Sequence, residues 1–118
     1  MGDSLQQLTE QLAEFARERD WEQFHSPKNL SMALIAEAAE LVEHFQWLSE
    51  AQSHSLSADK LEAVRLELAD IQIFLIRIAD QLGVDLVRAA QDKMRINEAR
   101  FPVEKVRGKA GRGVDYEG

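Results

Sequence analysis

A chain of 118 residues, 45% of them hydrophobic, is long enough to bury one core and too short for several, so it reads as one domain. It has no cysteine, which excludes disulfides, thiolate metal sites and cysteine nucleophiles and fits a reducing cytoplasm. A net charge of −7 argues against nucleic-acid polymers and anionic membranes as partners, because no excess of Lys and Arg exists to neutralise phosphate backbones; a free nucleotide stays compatible if a bound metal supplies positive charge locally.

The start of the chain, Met1-Gly2-Asp3-Ser4, has neither a basic nor an apolar leader segment, so no signal peptide is expected. The longest apolar run, Ile71 to Ile78, is broken by Gln72 and Arg77 and falls short of the ~20 residues a membrane span needs. A soluble cytoplasmic protein is expected.

A first helix is predicted from about Ser4 to Arg19. Ser4 and Gln7 form a capping-box pattern, and Leu5, Leu8, Leu12 and Phe15 make one apolar stripe. The connection Trp21-Glu22-Gln23-Phe24-His25 places two aromatics and a histidine in five residues, so its rings either plug the core edge or line a site. Ser26-Pro27 opens a second helix, with Ser as N-cap and Pro where its missing N–H costs nothing. Its buried stripe is Leu30, Leu34, Ala38, Leu41, Phe45 and Leu48; beside it Glu37 aligns with His44, and Glu40 with Trp47.

Residues 49–57 are polar and aperiodic and read as a surface loop, with Ser53, Ser55 and Ser57 suited to a turn followed by an N-cap. The third helix carries Leu61, Val64, Leu68, Ile71, Leu75, Ile78 and Leu82 in alternating steps of three and four, a seam that demands a helical neighbour. Ile73, Phe74 and Ile76 add apolar surface elsewhere, which favours a second subunit as part of that neighbourhood. Gly83 stops the helix, Asp85 caps a fourth from Leu86 to about Arg100, and Pro102 ends regular structure. Residues 1–102 form the expected helical domain and 103–118, rich in Gly, Lys and Arg, a flexible tail.

The chemistry centres on two echoing segments, Glu37-Ala38-Ala39-Glu40 and Glu67-Leu68-Ala69-Asp70. Residues three apart share a helix face, so each segment offers a pair of carboxylates. Such pairs are common on solvated helix faces, but within long apolar helices, beside His44 and Trp47, they suit a cation held between them, and Mg²⁺ takes oxygen ligands while bridging to phosphates. A di-iron carboxylate bundle would require Glu-x-x-His twice, and no His follows any of these acids by three. On the fourth helix Lys93 and Asn97 are four apart; they suit a polyphosphate ligand, although from spacing alone a plain surface salt bridge is the better account of Lys93. Trp21, Phe24 and Trp47 either stack on a base or belong to the core, with His25, His44 or Asn97 reading the base edge in the first case.

Glu37-x-x-Glu40 with Glu67-x-x-Asp70, Arg-Asp-Trp-Glu-Gln-Phe-His at positions 19–25, Phe45-Gln46-Trp47, and Lys93-Met94-x-Ile96-Asn97 before Phe101-Pro102 together resemble the MazG-like, all-α nucleoside triphosphate pyrophosphohydrolases, in particular their dCTP pyrophosphatase branch. The resemblance spans about Leu5 to Pro102. It implies a four-helix MazG-like bundle assembled as a dimer, or a homotetrameric dimer of dimers, with sites between subunits. It also implies Mg²⁺-dependent cleavage, with Mn²⁺ as a substitute, of a nucleoside triphosphate, first of all dCTP or a modified dCTP, to the monophosphate and pyrophosphate in nucleotide-pool house-cleaning. By this resemblance Glu37, Glu40, Glu67 and Asp70 are catalytic metal ligands, and the nucleotide-binding set is Trp21, His25, Lys28, Trp47, Lys93 and Asn97. The chain departs from the wider pattern at Ala36 and Leu66, where relatives often carry further acids, at Phe101 in place of a tyrosine, and at Leu12, where the dCTP-specific relative has a histidine. The rival expectation is a non-catalytic helical module whose acidic face and apolar seam bind a protein partner.

Overall fold

The structure, a computed structural model, describes residues 4–111. Among them it contains helices and no strand: α1 (Leu5–Glu18), a short 3-10 turn (Glu22–Phe24), α2 (Pro27–Glu43), α3 (Glu50–Ser53), α4 (Ala58–Leu82), α5 (Leu86–Arg100) and α6 (Val103–Val106). The all-helical expectation holds, but six helices stand where four are predicted. Two compact units are present, one ending at Gly83 and one beginning at Val84. None of the described helices is long and apolar enough to cross a membrane.

Capping residues explain most boundaries. Ser4 Oγ accepts the Gln7 N–H at 2.9 Å while the Gln7 side chain returns to the Ser4 N–H, so both halves of the predicted capping box form. Ser26 accepts the Asn29 N–H at 3.1 Å, with Pro27 in the first helical position. Ser57 and Asp85 cap α4 and α5 in the same way, through the N–H groups of Lys60 and Arg88.

Three departures from the predicted elements have local causes. The second helix ends at Glu43, and residues 44–48 form turns closed by His44 N–H to Leu41 O, Phe45 N–H to Val42 O and Leu48 N–H to Phe45 O. Each of these bonds spans three residues, which tightens the chain off the α-helical path. α3 arises inside the stretch expected to be a loop because Ser49 and Gln52 repeat the capping box of α1, with side-chain bonds of 2.9 and 3.1 Å. Pro102 does stop α5, but its extended conformation then serves as the N-cap of α6. Residues 112–118 of the expected tail lie outside the described residues.

In the first unit, α4 packs along α2 and also against α1. Leu30, Val64, Ile76, Ala79 and Ala16 are buried there. The seam along α4 separates into two rows. Val64 is buried and Ile71 and Ile78 are half-buried, whereas Leu61, Leu68, Leu75 and Leu82 are exposed. Residues seven apart lie within ~20° of one another around a helix, so these four leucines form one apolar row along α4. On α2, Met32, Ile35 and Val42 are exposed too.

Gly83 ends α4 with φ 67°, a left-handed conformation, and its N–H returns to Asp80 O at 3.2 Å. A Cβ there would meet nothing within 4 Å, so only backbone strain opposes a larger residue. Gly83→Ala is expected to lower stability by about 1 kcal/mol, read as a lower urea midpoint with an unchanged slope.

Candidate active site

α2 and α4 bring their acidic residues together. One carboxylate oxygen each from Glu37, Glu67 and Asp70 lies within 4.8 Å of the other two. Glu67 is buried, with 9% of its surface exposed, while Glu37 is half-buried and Asp70 exposed, so the cluster runs from the core edge to solvent. Glu37 Oε2 and Glu67 Oε2 are buried atoms with no hydrogen-bond partner among the described residues. Two unsatisfied carboxylate oxygens at the mouth of an apolar core are costly unless something positive meets them.

Glu37 responds by holding its proton more tightly than an ordinary glutamate. The first cause is the Glu67 carboxyl beside it: protonation of Glu37 supplies a hydrogen that bonds to that neighbour, which two ionised carboxylates do not possess. Burial acts in the same direction, as do the charges of Glu67 and Asp70, and a hydrogen bond from the Glu40 side opposes them. Oxygen donors of this kind, two of them unpartnered, fit a hard divalent cation. Among the described residues the cluster holds three carboxylates. Glu40 is exposed one turn beyond Glu37, close enough to influence it but outside the group of three. His44 follows α2 and places Nε2 4.0 Å from Glu67 Oε1.

The nucleotide-binding candidates divide between the two units. Asp20 adopts φ 55°, a left-handed conformation that aspartate tolerates better than most residues, and the chain reverses after α1. Trp21 N–H then bonds to Ala16 O at 2.9 Å, and Asn29 Nδ2 donates to Phe24 O at 3.1 Å, tying the connection to both flanking helices. In this frame the Trp21 ring meets Phe15 edge-on at 5.8 Å and His25 at 6.4 Å, while the Arg19 guanidinium lies 3.6 Å from the centre of the Phe15 ring. Trp21 and Phe24 remain largely exposed, so these rings are not core plugs within the chain. Lys28 is exposed in the first turn of α2, and Trp47 is 87% exposed after it. Lys93 is exposed and Asn97 half-buried on α5, in the second unit.

Arg77 is absent from the predicted site and stands out in the structure. Only 3% of it is exposed, and its guanidinium bonds to Asp80 Oδ2 at 2.9 Å and reaches His25 Nδ1 at 3.5 Å. Its signal in the sequence is the interruption of the apolar run from Ile71 to Ile78. His25 is correspondingly harder to protonate than a free histidine, chiefly through burial and then through the Arg77 charge, with Glu22 opposing.

The sequence profile of the MazG-like family matches residues 33–113, a span containing both acidic segments. The chain is 44% identical over 114 residues to dCTP pyrophosphatase 1 of Rattus norvegicus, covering 95% of this chain and 67% of that protein. It is 42% identical over 106 residues to dCTP pyrophosphatase 1 of Homo sapiens, covering 88% of this chain and 62% of that one. A crystal structure of a pyrophosphatase from Archaeoglobus fulgidus superposes with a TM-score of 0.78 at 34% identity, over 82% of this chain and 91% of that one. The helical architecture, the acids shared between α2 and α4 and these likenesses agree: this chain belongs to the MazG-like family.

Proposed function

We infer that this chain hydrolyses a nucleoside triphosphate between the α and β phosphates, releasing the monophosphate and pyrophosphate, with dCTP or a modified dCTP as first substrate. The observation that carries the reading is the cluster of Glu37, Glu67 and Asp70, with two buried oxygens lacking a hydrogen-bond partner among the described residues, in a chain so similar to dCTP pyrophosphatases. The enzyme acts on an acid anhydride and would serve the cytoplasmic deoxynucleotide pool by removing surplus or damaged members.

Glu37, Glu67 and Asp70, with Glu40 at the edge, would hold Mg²⁺ or, in its place, Mn²⁺. When bound, the ion supplies Lewis-acid polarisation of phosphate oxygens and lowers the pKa of a coordinated water. One glutamate of the cluster would also position or deprotonate the attacking water. Trp21 and Trp47 offer exposed faces for stacking on a base, and His25 a ring nitrogen for its edge. Lys28, Lys93 and Asn97 are assigned to the phosphates and sugar. We place these functions in residues 1–102 and assign 103–118 to a tail.

With Mg²⁺, dCTP is expected to give dCMP and pyrophosphate in equal amounts, as read by phosphorus NMR. Formation of dCDP and orthophosphate would show that a different bond is cut.

The exposed row of Leu61, Leu68, Leu75 and Leu82 supports a homo-oligomer, a dimer or dimer of dimers, in which a second copy covers α4 and the site lies near the contact. Leu68→Glu is expected to shift the protein to a monomer on size-exclusion chromatography and to reduce turnover by about tenfold or more. An unchanged elution volume would remove this face from the interface.

A further inference from the structure

We propose that Arg77 is a positioning residue for the base site: its buried Nε–H fixes His25 as the neutral Nε2–H tautomer, so that the imidazole meets a bound nucleotide base as a hydrogen-bond donor. The inference deepens the function proposed above and rests on it for the identity of the ligand, though not for the tautomer.

An arginine with 3% of its surface exposed must have its charge and its donors met by protein groups. Asp80 neutralises it at 2.9 Å, but Asp80 is three residues away on the same helix, so that pair joins no two parts of the fold. The long-range contact made by Arg77 is to His25 Nδ1, 52 positions away in sequence. Arginine carries only donors, so Nδ1 must accept. An imidazole whose Nδ1 accepts bears its hydrogen on Nε2. A protonated ring would set N–H against N–H, and the groups around His25 disfavour it: burial and the Arg77 charge oppose protonation, and Glu22 from the 3-10 turn only partly offsets them.

The ring is also held in orientation. Trp21 meets it at an interplanar angle of 61°, and Phe15 backs Trp21 at 69°. His25 is only half-buried and touches Trp21, which is exposed. A fixed Nε2–H suits a base presenting acceptors, as cytosine does at N3 and O2, whereas the opposite tautomer would present a lone pair to them. Without that bond the imidazole would exchange tautomers and turn, keeping only the weaker bias toward Nε2–H of a free histidine, at little cost in folding. That separates positioning from a merely structural role for Arg77.

The test uses the full chain labelled with ¹⁵N-histidine, with long-range ¹H–¹⁵N NMR at neutral pH. His25 is expected as the Nε2–H tautomer in the unmodified protein. Arg77→Met keeps the volume and removes the donor, and Arg77→Lys keeps the charge without the planar Nε–H. Either is expected to mix the tautomers and to raise the KM for dCTP about tenfold with kcat within about twofold. An Nδ1–H tautomer or an imidazolium in the unmodified protein overturns the proposal without any variant, even if both variants fail to fold. A folded variant with unchanged tautomer and KM also overturns it. If the tautomer behaves as expected but His25→Ala leaves KM unchanged, the base contact at His25 is wrong; loss of dCTP hydrolysis from the unmodified protein would instead remove the function on which it rests.

Discussion

Glu67→Gln is expected to cut turnover by about a thousandfold while making the metal-free protein more stable. Glu67 is the most buried acid of the cluster, and its Oε2 has no partner. Glutamine keeps the shape, removes a charge from a poorly solvated position, and brings an amide that can donate to the equally unpartnered Glu37 Oε2. Relief of these two unsatisfied oxygens is worth on the order of 1–3 kcal/mol. A side chain retained for folding would lose stability on replacement, whereas one retained to grip a cation trades stability for activity. Asp70→Ala, on the exposed side of the cluster, is expected to abolish turnover with little change in stability. Near-normal activity in folded Glu67→Gln would end the metal-site reading.

Mg²⁺ together with a non-hydrolysable triphosphate is expected to raise the melting temperature by roughly 10 °C at a hundredfold excess over Kd, and Glu37→Gln should lose most of that rise. The baseline itself depends on pH through Glu37. Its proton affinity in the folded, metal-free chain lies above the ordinary carboxylate value of 4.5, so the folded state binds more protons than the unfolded state in the window between the two. The stability gained from this proton is therefore fully present below about pH 4.5 and is lost as pH rises through the elevated folded value. Added metal should offset that loss above the window, so the metal-induced rise in melting temperature grows with pH. Glu37→Gln removes this contribution to the pH dependence. A ligand response that is flat with pH and equal in the variant would place the ion elsewhere. A protein-interaction module without nucleotide chemistry would give no joint response to metal and triphosphate at all.

Local codes that act within one or two turns are legible in the sequence. Ser4 with Gln7, Ser26 before Pro27, Ser57, Gly83 and Asp85 each fix a helix boundary by satisfying nearby backbone groups, and each does so in the structure. The helix at Glu50–Ser53 was legible in the same code, since Ser49 and Gln52 repeat the box at Ser4, but the polar composition around them concealed it. The early end of α2 at Glu43 was not legible, because the apolar spacing continues through Phe45 and Leu48 after the hydrogen-bond pattern has changed.

The sequence by itself determined which residue types carry the chemistry: acids paired at helical spacing on two long apolar helices, and aromatics concentrated in a short connection. Only the tertiary structure decided which of them meet. Helical spacing fixes direction about one axis, whereas the distance between side chains on different helices depends on how those helices cross and how far each is sunk into the core. That is why Glu37, Glu67 and Asp70 converge with Glu40 at their margin, why the four leucines spaced seven apart from Leu61 to Leu82 face outward, and why Arg77, in sequence only a charge within an apolar run, lies buried against a histidine 52 positions earlier in the chain.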